Sequence, residues 1–177
     1  SETAISRAMR SLYTDPRLSP RTASLYIAVA AVGLLATVFL MEYGFGVAPC
    51  SLCLLQRWPH GAVIPLAALA FLPTISDSVR RVLLLLCAAA FATTAGIGIY
   101  HVGVEEGIFA GPSACSGGIT GESIEELRRK LMAAPVIRCN EVAWSLFGIS
   151  LAGFNVLASS ALALFSAAIG TRGRLKT

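Results

Sequence analysis

VLLLLCAAAFATTAGIGIYH, residues Val82 to His101, is the stretch that decides the fold. It carries no Asp, Glu, Lys or Arg, and as a helix it would extend roughly 30 Å, the hydrocarbon thickness of a bilayer. A run this long and this apolar reads as a membrane-crossing helix. Three more crossings are read on either side of it. LYIAVAAVGLLATVFLMEY spans Leu25–Tyr43, with Glu42 at its far end. Another begins at the CSLC motif, Cys50 to Cys53, and continues through PHGAVIPLAALAFL to Leu72; Arg57 and His60 make it the weakest of the four. The last runs from Trp144 to Ile169, interrupted only by small residues and Asn155. The expected architecture is an all-α membrane protein, a bundle of four transmembrane helices occupying residues 25–170.

The composition agrees. Of 177 residues, 55% are apolar and 14% charged, with a mean hydropathy of +0.72; a soluble domain carries about 25% charged residues. A net charge of +4 and a pI near 9.0 could suggest a nucleic-acid partner. The placement of the charges argues for no nucleic acid. Nine of the fourteen Lys and Arg fall in three clusters beside apolar segments: Arg7, Arg10, Arg17 and Arg21; Arg80 and Arg81; Arg172, Arg174 and Lys176. Basic residues flanking spans mark the cytoplasmic side. The basic segment 1–24, the connection Pro73–Arg81 and the tail 171–177 are therefore expected in the cytoplasm. The connections Gly44–Pro49 and Val102–Ala143 face outward, and the longer carries six acidic against four basic residues, a net of −2. No short apolar region with a cleavage site is read ahead of the first span, which is expected to serve as an uncleaved anchor. Within the long loop 102–143, Thr120–Ala133 reads as a short amphipathic helix: Ser123 and Glu126 fit a capping box, and Ile124, Leu127 and Leu131 share a face. Pro112 and Pro135 bound it. It either lies in the membrane interface or packs on its own loop.

This topology places Cys50, Cys53, Cys115 and Cys139 at or beyond the outer face and Cys87 inside the third span. An outer bacterial compartment is oxidising, and paired cysteines there form disulfides. Pairing Cys50 with Cys53, and Cys115 with Cys139, is the simplest scheme, although three connectivities are open. A C-x-x-C pair is commonly redox-active, and at a helix N-terminus the dipole and free N–H groups favour a thiolate. Arg57 follows Cys53 by four residues on the same face, roughly 6 Å along the axis. An arginine inside a span costs on the order of 3 kcal/mol at mid-bilayer and marks function. Four thiolates could nominally hold zinc, but Cys115 and Cys139 lie 24 residues apart, unlike the tight knuckles of zinc modules, so no metal is expected. Two structural disulfides are the plainer alternative; closing the loop would stabilise by roughly 3 kcal/mol. His101 lies at the depth of the motif, where it could hydrogen-bond a small carbonyl ligand or anchor the helix at the interface. Trp144 reads as an aromatic-belt residue and Cys87 as an inert core thiol.

The motifs together resemble the DsbB disulfide-bond formation family. PCSLCLLQR, Pro49–Arg57, is similar to its C-x-x-C-x-x-x-R segment; YHVG followed by PSAC, Tyr100–Cys115, to its third-helix end and first loop cysteine; Cys139 with Trp144, Phe147 and Gly148 to its second loop cysteine and fourth-helix start. The resemblance covers about residues 25–170 and excludes the basic first 24. It implies a bacterial inner-membrane enzyme with periplasmic redox loops and cytoplasmic termini. It implies a periplasmic partner of the DsbA type, a thioredoxin-fold thiol oxidase that arrives reduced. Cys115 would form the mixed disulfide with that partner, Cys139 would attack Cys50, and Cys53 would become the thiolate facing a membrane quinone, ubiquinone or menaquinone. Arg57 would stabilise that thiolate and the developing quinone anion, and His101 matches a position near the quinone. Gln56 stands where some relatives carry an acid, and no role is assigned to it. A vitamin-K-epoxide-reductase-like quinone reductase is disfavoured because its C-x-x-C lies in the last helices. The non-enzyme alternative is a membrane scaffold or transporter subunit with static disulfides.

If the loop helix holds the loop cysteines against the membrane, charged residues at Leu127 and Leu131 slow oxidation of a protein partner but spare a small dithiol acting at Cys50–Cys53. Equal loss of both rates, measured side by side, counts against anchoring.

Overall fold

The computed structural model describes residues 19–112, Glu125 and residues 139–172. Helix α1 spans Pro20–Phe39 and runs into a π-helical turn at Leu40–Gly44. Helix α2 spans Ser51–Phe71, α3 Asp77–Glu105 and α4 Leu151–Thr171. A two-stranded antiparallel hairpin, β1 (Ser145–Leu146) with β2 (Ile149–Ser150), precedes α4. The loop helix expected over Thr120–Ala133 lies outside the described residues apart from Glu125, which is helical and exposed.

Local chemistry sets each boundary. Ser19 caps α1 by accepting from the Thr22 N–H at 3.1 Å, with Pro20 in the first turn where its missing N–H is harmless. The helix therefore starts five residues before the expected Leu25, because the cap sits ahead of the apolar run. Ser76 caps α3 in the same way, so that helix is longer than Val82–His101 at both ends. The expected last span, Trp144–Ile169, is corrected more sharply. Phe147 and Gly148 have φ of 52° and 78°, a two-residue reversal that pairs Leu146 with Ile149 and delays α4 until Ser150 can cap it. Trp144 thus precedes the hairpin and does not begin the helix.

Among the described residues, three helices are long and apolar enough to cross a membrane: Pro20–Gly44, Asp77–Glu105 and Leu151–Thr171. Helix α2 has 21 residues, about 31 Å, but carries Gln56, Arg57 and His60 together with Pro59 and Pro65. Burial runs opposite to that of a soluble protein. Leu25, Tyr26, Val29, Val32, Leu54, Trp58, Leu86 and Leu164 are exposed, whereas Ser24, Gln56, His60, Thr94, His101 and Ser159 are buried. Lipid is as apolar as leucine, so such a bundle gains from close packing and interhelical hydrogen bonds. Neighbours in chain order pack on one another, α3 against α4 most extensively, while α1 touches α4 over a short seam. One apolar core, built around Ile27, Val63, Leu84, Cys87 and Phe91, lies toward the end of the bundle that holds the α2–α3 turn. Cys87 is fully buried within it, as an inert thiol should be.

Two arginines read as topology charges also close helix α2. Arg21 Nε donates to the Phe71 carbonyl at 3.0 Å and its guanidinium lies over the Phe71 ring. Arg80 is buried; it donates to the carbonyls of Ala70, Leu72 and Ile75 at 2.8, 3.1 and 2.9 Å and pairs with Asp77. The C-terminal carbonyls of a helix have no partners of their own, and cations satisfy both them and the dipole. Replacing Arg80 with leucine should therefore cost about 2–4 kcal/mol, by leaving buried carbonyls unbonded. The check is the unfolding midpoint in detergent, with Arg81→Leu as the comparison.

Candidate active site beside Cys50 and Cys53

Cys50 is the N-cap of α2. Its Sγ accepts the Cys53 N–H at 3.2 Å and lies 2.7 Å from Cys53 Sγ. The opening turn of the helix thus delivers both sulfurs to one spot, and both are free thiols. His101, on the last turns of α3, brings Nε2 to 3.5 Å from Cys50 Sγ. Cys139 is disulfide-bonded and fully buried, in one small cluster with Cys50, Leu52 and Val104, against which Cys53 packs. The Ser51 hydroxyl lies 3.5 Å from Cys139 Sγ. Of the residues singled out in the sequence, Cys50, Cys53, Cys139 and His101 therefore converge. Cys115 lies outside the described residues.

Cys50, Cys53 and His101 also offer three donor atoms within 4.8 Å of one another. Two thiolates on one tetrahedral zinc would stand about 3.7 Å apart given bonds near 2.3 Å. The observed sulfur pair is closer than that, which suits disulfide chemistry.

Arg57 pairs with Glu42 at 2.6 Å and its guanidinium lies 5.0 Å from the centre of the Phe39 ring. It does line the same cavity as Cys53, but its partner is a carboxylate that the sequence reading left unassigned. The available signal was that Glu42 is the one acid inside its span, facing the need for a cation. The second omission is Gln56, whose Nε2 lies 2.9 Å from His101 Nδ1 and whose Oε1 lies 2.6 Å from Asn155 Nδ2. Asn155 in turn meets His60 Nε2 at 2.9 Å. Glu105 is a third: it accepts from the Ser150 hydroxyl at 2.5 Å and stands 3.9 Å from His101 Nε2.

A cavity of about 660 Å³ opens beneath the sulfurs. Its polar lining includes Cys50, Cys53, Arg57, His101, Glu105 and Glu141; Leu34 and Val38 of α1, Met41 of the π turn, and Phe154 and Ala158 of α4 are apolar. It occupies the short α1–α4 seam. Trp144 lines it too, with its ring 6.4 Å from that of Phe154.

Residues 20–169 match the protein family described as disulfide bond formation protein DsbB. The chain belongs to the DsbB family. Among its relatives, a disulfide bond formation protein B of Verminephrobacter eiseniae is 32% identical over 88% of each chain. Another, from Methylobacillus flagellatus, is 28% identical over 78% of this chain and 85% of its own. An uncharacterised protein of Rickettsia prowazekii is 27% identical over 80% of this chain and 83% of its own. No solved structure gives a significant match. As a DsbB-family protein the chain is a membrane oxidoreductase that forms disulfides, and the converged cysteines are where that chemistry can occur.

Proposed function

We propose that the chain reoxidises a periplasmic thioredoxin-fold partner of the DsbA type and passes the electrons to a membrane quinone. It would cross the bacterial inner membrane four times, α2 included, with residues 1–24 and 171–177 in the cytoplasm and 102–143 in the periplasm. Helix α2 is the weak span by hydropathy, but Gln56, Arg57 and the Nε2 of His60 find partners inside the bundle, which supports a crossing.

The observation that carries the reading is the juxtaposition of two cysteine couples in different states. A disulfide-bonded Cys139 and a free Cys50–Cys53 pair share one buried cluster. Exchange needs a thiolate within reach of a disulfide sulfur, and the shared cluster supports that reading. The partner's thiolate attacks Cys115, forming a mixed disulfide and releasing Cys139. The thiolate of Cys139 attacks Cys50 of the oxidised pair, and Cys53 leaves as a thiolate. The partner's second thiolate then resolves the mixed disulfide, so that the partner leaves oxidised and Cys115 is released as a thiolate, which attacks Cys139, regenerates the loop disulfide and frees Cys50. Each cycle leaves two electrons and two protons on Cys50 and Cys53.

The lining supports a quinone: Arg57 offers N–H donors to a carbonyl oxygen, His101 lines the cavity beside Cys50, and the apolar walls suit a ring and tail. When bound, the quinone supplies the two-electron acceptor. The protein's share is electrostatic. Arg57 would hold positive charge where negative charge develops, while Glu42 fixes its position. His101 would hold its Nε2 beside Cys50.

Purified protein given a reduced thioredoxin-fold oxidase and a short-chain quinone should reduce one quinone per disulfide formed. Cys53→Ser should abolish this, and Arg57→Leu should lower turnover about 100-fold. Disulfide exchange with the partner that never yields reduced quinone would defeat the proposal.

A further inference from the structure

We infer that Gln56 and Asn155 are positioning residues that fix the tautomer of His101, holding its Nε2–H toward Cys50. The inference rests on the redox reading of Cys50 for its consequence only; the tautomer itself can be measured without turnover.

The deduction starts at Thr94. Its hydroxyl donates to the Gln56 carbonyl at 3.1 Å, so toward Asn155 that oxygen can only accept. The Thr94 carbonyl can only accept as well. Both lie 3.3 Å from the same end of the Asn155 amide, which must therefore be the NH2 group. Two consequences follow. The Asn155 oxygen faces the other way, where it accepts from the Ser159 hydroxyl at 2.9 Å and from His60 Nε2 at 2.9 Å. And the Gln56 atom that meets the Asn155 NH2 at 2.6 Å must be the amide oxygen.

With its oxygen committed, Gln56 presents its own NH2 to His101 Nδ1 at 2.9 Å. That nitrogen must accept, so the neutral ring carries its proton on Nε2. Nε2 is the atom 3.5 Å from Cys50 Sγ, with Glu105 Oε1 at 3.9 Å on another side. A carbonyl on α3 thus decides, through one amide on α4 and one on α2, that the histidine nitrogen facing the sulfur carries the proton. The three helices hold the sequence in place. Gly98 helps, because a Cβ there would stand 2.8 Å from Val156 Cγ2 and 3.2 Å from Asn155 Nδ2. The chemistry gained is a donor aimed at a sulfur that must carry negative charge during exchange; the other tautomer would present a lone pair and repel it.

The chain has two histidines, so nitrogen-15 histidine labelling yields two ring systems, assigned with a His60→Gln variant. In the wild type at neutral pH, His101 should show a protonated Nε2 and an unprotonated Nδ1. Gln56→Glu, whose carboxylate can only accept, should place a proton on Nδ1. Asn155→Leu, which touches neither His101 nor a cysteine, should release the Gln56 amide and populate both tautomers. A wild-type His101 protonated at Nδ1 overturns the inference, and that spectrum decides even where a variant does not fold. A Gln56→Glu spectrum with Nδ1 still unprotonated overturns it too. Loss of quinone reduction with the expected tautomers intact would instead count against the proposed acceptor.

Discussion

Hydrocarbon offers a buried polar group no partner except another part of the protein, and in this bundle that constraint converges on the Asn155 amide. It donates to Gln56 and Thr94 and accepts from His60 and Ser159, so α2, α3 and α4 are joined at one point. Such bonds contribute modestly in a membrane, about 0.6 kcal/mol on average where measured. Their larger effect is on specificity. An amide with every position taken admits one register among the three helices, and the redox end inherits its geometry from that register.

Much of this was legible in the sequence, and the reason is physical. Lipid imposes a long, unbroken apolar run, which is the strongest signal a chain can carry; the α3 stretch from Val82 to His101 shows it plainly. The C-x-x-C spacing likewise fixes a local geometry, one turn at a helix start, and the structure brings Cys50 and Cys53 together there. What escaped were groups whose meaning depends on a distant partner. Gln56 gains its significance from Asn155, 99 residues away, and no local pattern announces such a pair. Glu42 looked like the frayed end of a span until Arg57 stood against it. The start of α4 was misplaced because Trp144–Leu146 is apolar enough to extend the hydropathy signal, while the reversal at Phe147–Gly148 depends on backbone angles that hydropathy ignores.

Charge has two separate uses along this molecule. At the end where α2 stops, Arg21 and Arg80 bond backbone carbonyls. At the opposite end, the positive terminus of the same helix lies under Cys50, which caps it with sulfur. One helix thus has its negative end quenched by arginines and its positive end left for a thiolate. The cationic side chain between them, Arg57, is held by an acid from α1, so its charge stays in place without being removed from the cavity.

The π-helical turn at Leu40–Gly44 gives that last contact an unusual sensitivity. A π turn is a helix carrying one surplus residue, and each residue of an α-helix advances the face by about 100°. A chain shortened by a single codon anywhere in this turn would rewind into ordinary helix and swing its carboxylate a quarter of the circumference or more. The guanidinium across the seam would then lose its tether although every side chain of the redox centre had been kept. Length, as much as residue identity, is what this part of the chain encodes.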